Sequence, residues 1–287
     1  KLHPSPCTTR TKLMTILNRL ILLKENASPI QQLRHEFPVS PPHELLGFLR
    51  ACQLETPLDT NEQHIKNTVT RLRKTHKWRA EIGLEEAMND DHWVKNENQH
   101  RSLLQYDIVG NDVHGRPILV ELVGRWNVER ILANSTNDPA AFTKLHAMTL
   151  ERLTTMERSK GCLDPRGQVV IMDCLGLSRA HFSLVSTLQS ISQVDADHFP
   201  DTLAELYVVN APYIFTALAA LCRPFVSSET LQKFYVSSGV PEALLEFIAP
   251  QVLPAELGGV RKDCFPYDSE TPSTSIAAHT NDLETNS

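Results

Sequence analysis

The sequence predicts an α/β protein: a mostly parallel sheet preceded by a small all-helical N-terminal module. Two observations carry this. Up to about residue 100, apolar residues recur at helical three- and four-residue spacing. Beyond it, short continuous apolar runs alternate with helical segments. Continuous apolar runs suit strands buried on both faces, and intervening helices supply the crossovers that parallel neighbours require.

Taken in order, Leu13 to Leu23 is a short apolar stretch broken by Asn18 and Arg19, read as an amphipathic helix. Pro41-Pro42-His43-Glu44 opens a helix through Leu45, Leu46, Phe48 and Leu49. Asn61 to Arg79 is a second, with Ile65, Val69, Leu72 and His76 on its apolar side. Arg71, Arg73, Lys74, Lys77 and Arg79 are expected on its exposed face, either as a solvated surface or as a patch for anionic headgroups. Strands are expected at Pro117–Gly124, Gln168–Asp173, Glu205–Asn210 and Lys233–Ser237. Asp138-Pro139 is a good helix start, with Phe142, Leu145, Leu153 and Met156 following on one side. A further helix is expected over about 179–194, with Leu184, Val185, Leu188 and Ile191. From Phe265 to Ser287 the chain is rich in Ser, Thr, Asp and Glu, and is expected to be disordered.

Composition excludes several classes. The 287 residues carry a net charge of -6, against the basic surplus of nucleic-acid binders. No 18-residue uncharged apolar run is present, so no transmembrane helix is expected. The first residue is Lys1 rather than Met, as in a fragment of a longer chain, and a targeting segment ahead of it is left open. Cysteines 7, 52, 162, 174, 222 and 264 are scattered with no Cys-x-x-Cys, which argues against a disulfide framework or a zinc site; Cys174 and Cys222 read as small core residues in a reducing cytosol. The twelve histidines form no His-x-x-x-His or His-Glu-x-x-His, and no metal is expected. His198, beside Phe199, reads as a satisfied core residue or a pocket polar group. Neither a Gly-x-Ser-x-Gly elbow nor a Gly-rich loop ending in Gly-Lys-Ser/Thr occurs. Asp173 ends a strand, where α/β enzymes place nucleophiles, but the following Cys174, Leu175 and Gly176 offer no second acid. A carboxylate capping the next loop is the simpler reading.

The most informative stretch is Tyr213-Ile-Phe-Thr-Ala-Leu-Ala-Ala-Leu-Cys222. It carries no charge, and its only polar side-chain groups besides the cysteine are Thr216 and the Tyr213 hydroxyl. An ordinary surface helix shows a polar stripe, which this one lacks. Two readings stand: a fully buried helix, or a lid over an apolar cavity, with Pro212 and Pro224 as stiff ends. After it, Thr230 and Lys233 lie three apart and share a face, as a phosphate site would use them.

Several segments together resemble the CRAL-TRIO lipid-binding family, the group containing the secretory phosphatidylinositol/phosphatidylcholine transfer proteins. They are Phe48-Leu-Arg-Ala51, Lys77-Trp-Arg79 through Gly83, Gly115-Arg-Pro-Ile118, and Ile171-Met-Asp173 with Gly176. The strongest are His198-Phe-Pro-Asp-Thr-Leu203, Leu206-Tyr-Val-Val-Asn-Ala-Pro212, Arg223-Pro-Phe225 and Leu253-Pro-Ala-Glu-Leu-Gly-Gly259. Singly these are weak; their order and spacing from Leu45 to Gly259 are specific. The resemblance implies a sheet flooring an apolar lipid pocket, closed by a helical gate in which Tyr213, Phe215, Leu218, Leu221 and Phe225 form gate and pocket. It implies headgroup contacts from Thr230 and Lys233, with Asp201 supporting the lysine. Two basic residues that follow Phe-Leu-Arg-Ala in the family's phosphatidylinositol binders are here Cys52 and Gln53. The family's choline-contacting Ser, Thr and two Tyr align with Gln168, Val170, Ile108 and Leu119, which favours an inositol or other anionic lipid over phosphatidylcholine.

The expected organisation is a partly helical extension over 1–40, a helical module over 41–100, a lipid-binding domain over 101–262 and a disordered tail over 263–287. The expected function is non-enzymatic: enclosing one phospholipid, phosphatidylinositol or a relative, and exchanging it at membranes. Burying a methylene contributes roughly 0.8 kcal/mol, so two chains of about 16 carbons involve on the order of 25 kcal/mol, and unaided escape from a bilayer is slow. A carrier needs an equivalent apolar cavity and no nucleophile. No cofactor besides the lipid is implied. The partners are phospholipid and, transiently, a membrane surface, with any protein partner unknown; the protein is expected to be a cytoplasmic, peripheral monomer. Alternatives are a lipid-sensing regulatory module with little net transfer, and a hydrolase-like enzyme using Asp173.

Overall fold

The computed structural model describes Ile21, residues 24–159 and residues 167–262. Most of the expected Leu13–Leu23 helix, Cys7, Cys162, Cys264 and the 263–287 tail lie outside the described residues.

The first described layer is helical: α1 (Ala27–Glu36), α2 (Pro42–Glu55), α3 (Asn61–Glu81), the single turn α4 (Leu84–Ala87) and α5 (Asp91–Leu104). Proline at its first turn starts α2, and the Thr60 hydroxyl accepts from Gln63 N at 3.3 Å to start α3. Ile30 and Leu33 of α1 and Phe37 pack with Leu45, Leu46, Phe48, Leu49 and Leu72 in one core. Helix α1 therefore packs into the same helical layer as α2 and α3. Helix α5 runs through Leu104 and packs on α7, with Glu97 accepting from the Arg152 guanidinium at 2.7 Å.

The basic face of α3 is corrected. Arg71 and Arg79 are only about a fifth exposed, and every one of the five cations has an acidic partner. Arg71 meets Glu55, Arg73 meets Glu36, Lys74 meets Asp197, Lys77 meets Glu81, and Arg79 meets Glu44 and Glu151. The face that was a candidate for headgroups is electrically satisfied, and its Lys74–Asp197 pair helps to dock the module on the following domain.

The sheet has the order β1 (Tyr106–Asn111), β2 (Pro117–Glu121), β3 (Gln168–Asp173), β4 (Leu203–Val209), β5 (Phe234–Val236). β1 and β2 form an antiparallel hairpin and the other pairings are parallel. Helices α6 (Val128–Asn137), α7 (Pro139–Ser159), α8 (Val185–His198, entered through a 3-10 turn at Arg179–Leu184), α9 (Tyr213–Cys222) and α10 (Ser228–Gln232) connect the parallel strands. Asp138 Oδ1 accepts from Ala141 N at 2.9 Å, the expected cap of α7.

Strand side chains alternate between two cores. Ile108, Leu119, Val170, Leu206 and Val208 face the helices. Val109, Ile118, Val120, Val169, Ile171, Tyr207 and Val209 face a second core sealed by Leu244, Phe247, Ile248, Leu253 and Leu257 from the chain's closing segment. The helix-covered face and the turns that lead into β4 and β5 position the candidate site.

Candidate functional site

The site is built where the helical module meets the domain. β4 is preceded by Phe199-Pro200-Asp201-Thr202, a tight turn with Asp201 in the left-handed region (φ 60°), which a short polar side chain tolerates. α2 lies directly on this turn: a Cβ on Gly47 would stand 2.7 Å from the Pro200 carbonyl oxygen. One helical turn on, Arg50 reaches the same place. Its Nη1 donates to Asp201 Oδ2 at 2.6 Å and its Nη2 to Glu229 Oε1 at 2.8 Å. From the other side Lys233, at the end of α10, donates to Asp201 Oδ1 at 3.1 Å and to the Leu203 carbonyl at 2.7 Å. Ser227 caps α10 by accepting from Thr230 N at 3.0 Å, and its hydroxyl lies 2.8 Å from that of Thr230.

Thus Asp201 and Lys233 are in contact, with Thr230 on the same short helix. Sequence reasoning missed Arg50 and Glu229. Arg50 lies inside the quoted Phe48–Ala51 segment, but its partners are 151 and 179 residues away and leave no local signal. Cys52 and Gln53 lie elsewhere: Cys52 is buried and Gln53 donates to Asn26 at 3.2 Å. Burial alone would lower the Arg50 pKa, but Asp201 and Glu229 outweigh it and raise it.

The candidate gate is not a fully buried helix. Only Leu218 of α9 is buried. Ile214 and Phe215 are half-buried against the helix-side core, and Phe225 is half-buried. Tyr213 is 100% exposed and Leu221 49%, so these two form the outer face and not a pocket wall. α9 rests on α8 and on the 3-10 turn before it. An apolar ten-residue helix with a wetted outer face stands on the surface beside the Arg50–Lys233 cluster.

The helix-covered face of the sheet is mostly apolar but carries one carboxyl at the end of β2. Glu121 ends β2 beside Met172 of β3, and both are mostly buried positions on the helix-covered face. Burial lifts the Glu121 pKa to about 7; His146 opposes this and Asp195 adds to it. His146 Nε2 lies 2.6 Å from Asp195 Oδ1; burial lowers its pKa, but the two acids outweigh that and raise it. His100, stacked edge-on to Phe142, is pressed down to about 3, first by burial and then by His146. The signs give opposite pH effects. The folded chain holds a proton on Glu121 that the unfolded chain loses, so this group's contribution to stability falls as pH rises from about 4.5 to 7, by up to about 3 kcal/mol. His100 stays neutral when folded, so its contribution falls as pH drops below 6.5. Glu121→Gln is expected to raise the melting temperature at pH 8 and to leave it nearly unchanged at pH 4.5, as followed by circular dichroism.

Asp173 is buried, accepting from Leu175 N at 3.0 Å and from Asn210 Nδ2 at 2.9 Å, the loop-capping role expected of it. His198 meets the Thr75 hydroxyl at 3.0 Å and stacks on Trp78 at 3.9 Å, a satisfied core histidine. Cys174 is buried and its thiol pKa is pushed up to about 12, chiefly by burial, whereas Cys222 is only half-buried.

Comparison with known proteins follows the same outline. Residues 105–259 match the family model described as the CRAL/TRIO domain. The chain is 27% identical over 221 residues to the Sec14 cytosolic factor of Schizosaccharomyces pombe, covering 75% of this chain and 73% of that protein. It is 28% identical over 262 residues to the phosphatidylinositol/phosphatidylcholine transfer protein SFH14 of Arabidopsis thaliana, covering 88% of this chain and 41% of that one. The chain thus spans less than half of the plant relative. Among solved structures, that of Sfh5 is similar in fold, with a TM-score of 0.56 and 15% identity, covering 82% of this chain and 84% of that one.

Proposed function

The chain belongs to the CRAL/TRIO domain family, and from that premise we propose that it encloses a single phospholipid, phosphatidylinositol or a related inositol lipid, and exchanges it at membrane surfaces. The name of the plant relative supports transfer. The observation that carries the headgroup assignment is the Arg50–Asp201–Lys233 contact beside Thr230 at the foot of the gate. Two cations and a hydroxyl there are the donors a phosphodiester needs, and guanidinium and ammonium bonds to phosphate are the strong, charge-assisted kind. Asp201 holds both cations in place while no phosphate is bound.

In this reading the acyl chains lie on the apolar floor under α9. Ile214, Phe215 and Leu218 face them, and Phe225 closes the end of the gate. Tyr213 and Leu221 point outward and meet the bilayer when the gate opens, because exposed apolar groups gain by entering lipid. Exchange makes and breaks no covalent bond; the cavity replaces the bilayer as an apolar environment. We place the protein in the cytoplasm as a monomer that meets membranes peripherally. The name of the yeast relative, a cytosolic factor, supports the cytoplasmic placement.

The test has two parts. Gentle purification followed by mass spectrometry should find one phospholipid per chain. In vesicle-to-vesicle transfer, Lys233→Ala should slow phosphatidylinositol movement roughly tenfold or more, since it removes a charge-assisted bond and leaves Asp201 one cation short. Unchanged transfer by Lys233→Ala would remove the headgroup assignment. A stoichiometric lipid without transfer would identify a lipid sensor instead.

A further inference from the structure

Charge counting at the headgroup site exposes a competitor. Arg50 and Lys233 bring two positive charges, and Asp201 and Glu229 bring two negative ones. Among the described residues, these four ionised groups sum to zero. The two carboxylates are not equivalent. Asp201 is 6% exposed and holds Arg50 and Lys233 together from a turn pinned under α2. Glu229 is 29% exposed, stands in the first turn of a five-residue helix, and has the outer Arg50 nitrogen as its recorded partner. Its Oε1, 2.8 Å from Nη2, takes the position that an incoming oxyanion would take on that guanidinium.

We propose that Glu229 is a specificity-determining residue: a built-in rival of the headgroup phosphate for Arg50, which the ligand must displace and which biases the site against highly charged headgroups. This rests on the headgroup reading above. Displacement is feasible because Glu229 is partly wet and can swing to solvent, whereas the more deeply buried Asp201 cannot. The displaced carboxylate stays near the bound lipid, since Glu229 is the chain neighbour of Thr230 on the same five-residue helix. A phosphodiester of single charge tolerates that neighbour. An inositol lipid with an added phosphate monoester brings about two further negative charges and meets repulsion in a partly dry site. The exchange also links ligand to gate. Arg50–Glu229 is a tie between the helical module and the segment that follows α9, and phosphate binding would release it.

The experiment compares wild type, Glu229→Gln and Lys233→Ala in vesicle transfer of phosphatidylinositol, phosphatidylinositol 4-phosphate and phosphatidylcholine. Gln keeps the size and removes the charge. Glu229→Gln is expected to increase phosphatidylinositol uptake on the order of tenfold, to increase phosphatidylinositol 4-phosphate uptake further, and to increase phosphatidylcholine uptake no more than that of phosphatidylinositol, since the two share a singly charged phosphodiester. Melting curves add a readout that packing alone would not give. The substitution should lower the midpoint of the lipid-free protein and not that of the loaded one, in which the tie is already broken. If Lys233→Ala impairs phosphatidylinositol transfer while Glu229→Gln leaves uptake and preference at wild-type levels or lowers uptake, the rivalry is overturned and the headgroup site stands. If Lys233→Ala changes nothing, the headgroup site falls and the rivalry with it.

Discussion

Arg116→Met is expected to cost about 3–5 kcal/mol of folding stability, as much as a large core truncation, while leaving the headgroup site intact. Arg116 is fully buried. Its Nε donates to Asp112 Oδ2 at 2.6 Å, and its Nη1 lies 3.2 Å from Glu205 Oε1. Asp112 Oδ1 also accepts from His114 N at 2.8 Å and Arg116 N at 2.9 Å, so the same carboxylate shapes the β1–β2 turn. Glu205 accepts from the Tyr207 hydroxyl at 2.7 Å, and Tyr207 stacks on Tyr235 of β5. One guanidinium therefore joins the edge hairpin to β4, on the sheet face away from the gate. Burial pulls its pKa down, but the two acids prevail and hold it up. Met fills much of the volume but leaves two buried carboxylates without their cation, and the unpaired charges account for the cost. Urea unfolding should show a lowered midpoint, and Arg116→Met/Glu205→Gln should recover part of the loss. Phosphatidylinositol transfer per folded molecule should stay near wild type, because no gate or headgroup residue is touched. A midpoint shift below 1 kcal/mol would mean that water or rearranged donors reach those acids.

Sequence and structure agree most closely where chain-local physics decides. Gln168–Asp173 is a strand at both ends as expected, because it is a central strand whose continuous apolar run is buried on both faces. Edge strand β1 escaped. Tyr106–Asn111 contains Asp107 and Gly110 and has an irregular register between Ile108 and Gly110, so neither alternation nor a continuous apolar run marks it. Helix α1 falls within the extension expected to be partly helical, but its bounds leave no local signal, because Ile30 and Leu33 are few among polar neighbours and join a core with Leu45 and Leu49 of the next helix. The gate was legible as a helix without a polar stripe. Whether it was covered or exposed was not, since that depends on what lies above it. At the site, Thr230, Lys233 and Asp201 were reached through a motif. Arg50 and Glu229 became visible only when the chain returned to them after long excursions, where Coulomb attraction acts across space and not along the sequence.

Gly47→Val should separate the helical module from the domain that carries the gate, with loss of both stability and transfer. In a solvated mid-helix position, replacing Gly by Ala would gain about 1 kcal/mol through the lower entropy of the unfolded chain. At Gly47 the sign reverses. The first added carbon would lie 2.7 Å from the Pro200 carbonyl oxygen and 3.6 Å from Asp201 Cβ, and backbone on both sides cannot move aside as a side-chain tip can. Gly47→Ala is expected to cost about 1–3 kcal/mol, and the branched Val more. The strain has one outlet: α2 withdraws from the Pro200–Asp201 turn. Arg50, one helical turn beyond, withdraws with it, and its 2.6 Å bond to Asp201 is lost. Gly47→Ala should therefore behave as a partial Arg50 deletion, lowering phosphatidylinositol transfer several-fold at temperatures where the protein remains folded. Transfer and melting temperature measured on the same preparations separate the two effects. A fall in melting temperature with undiminished phosphatidylinositol transfer would show that Arg50 is not needed for the headgroup. Parallel losses, with phosphatidylcholine less affected, would locate the headgroup site at the seam between module and domain.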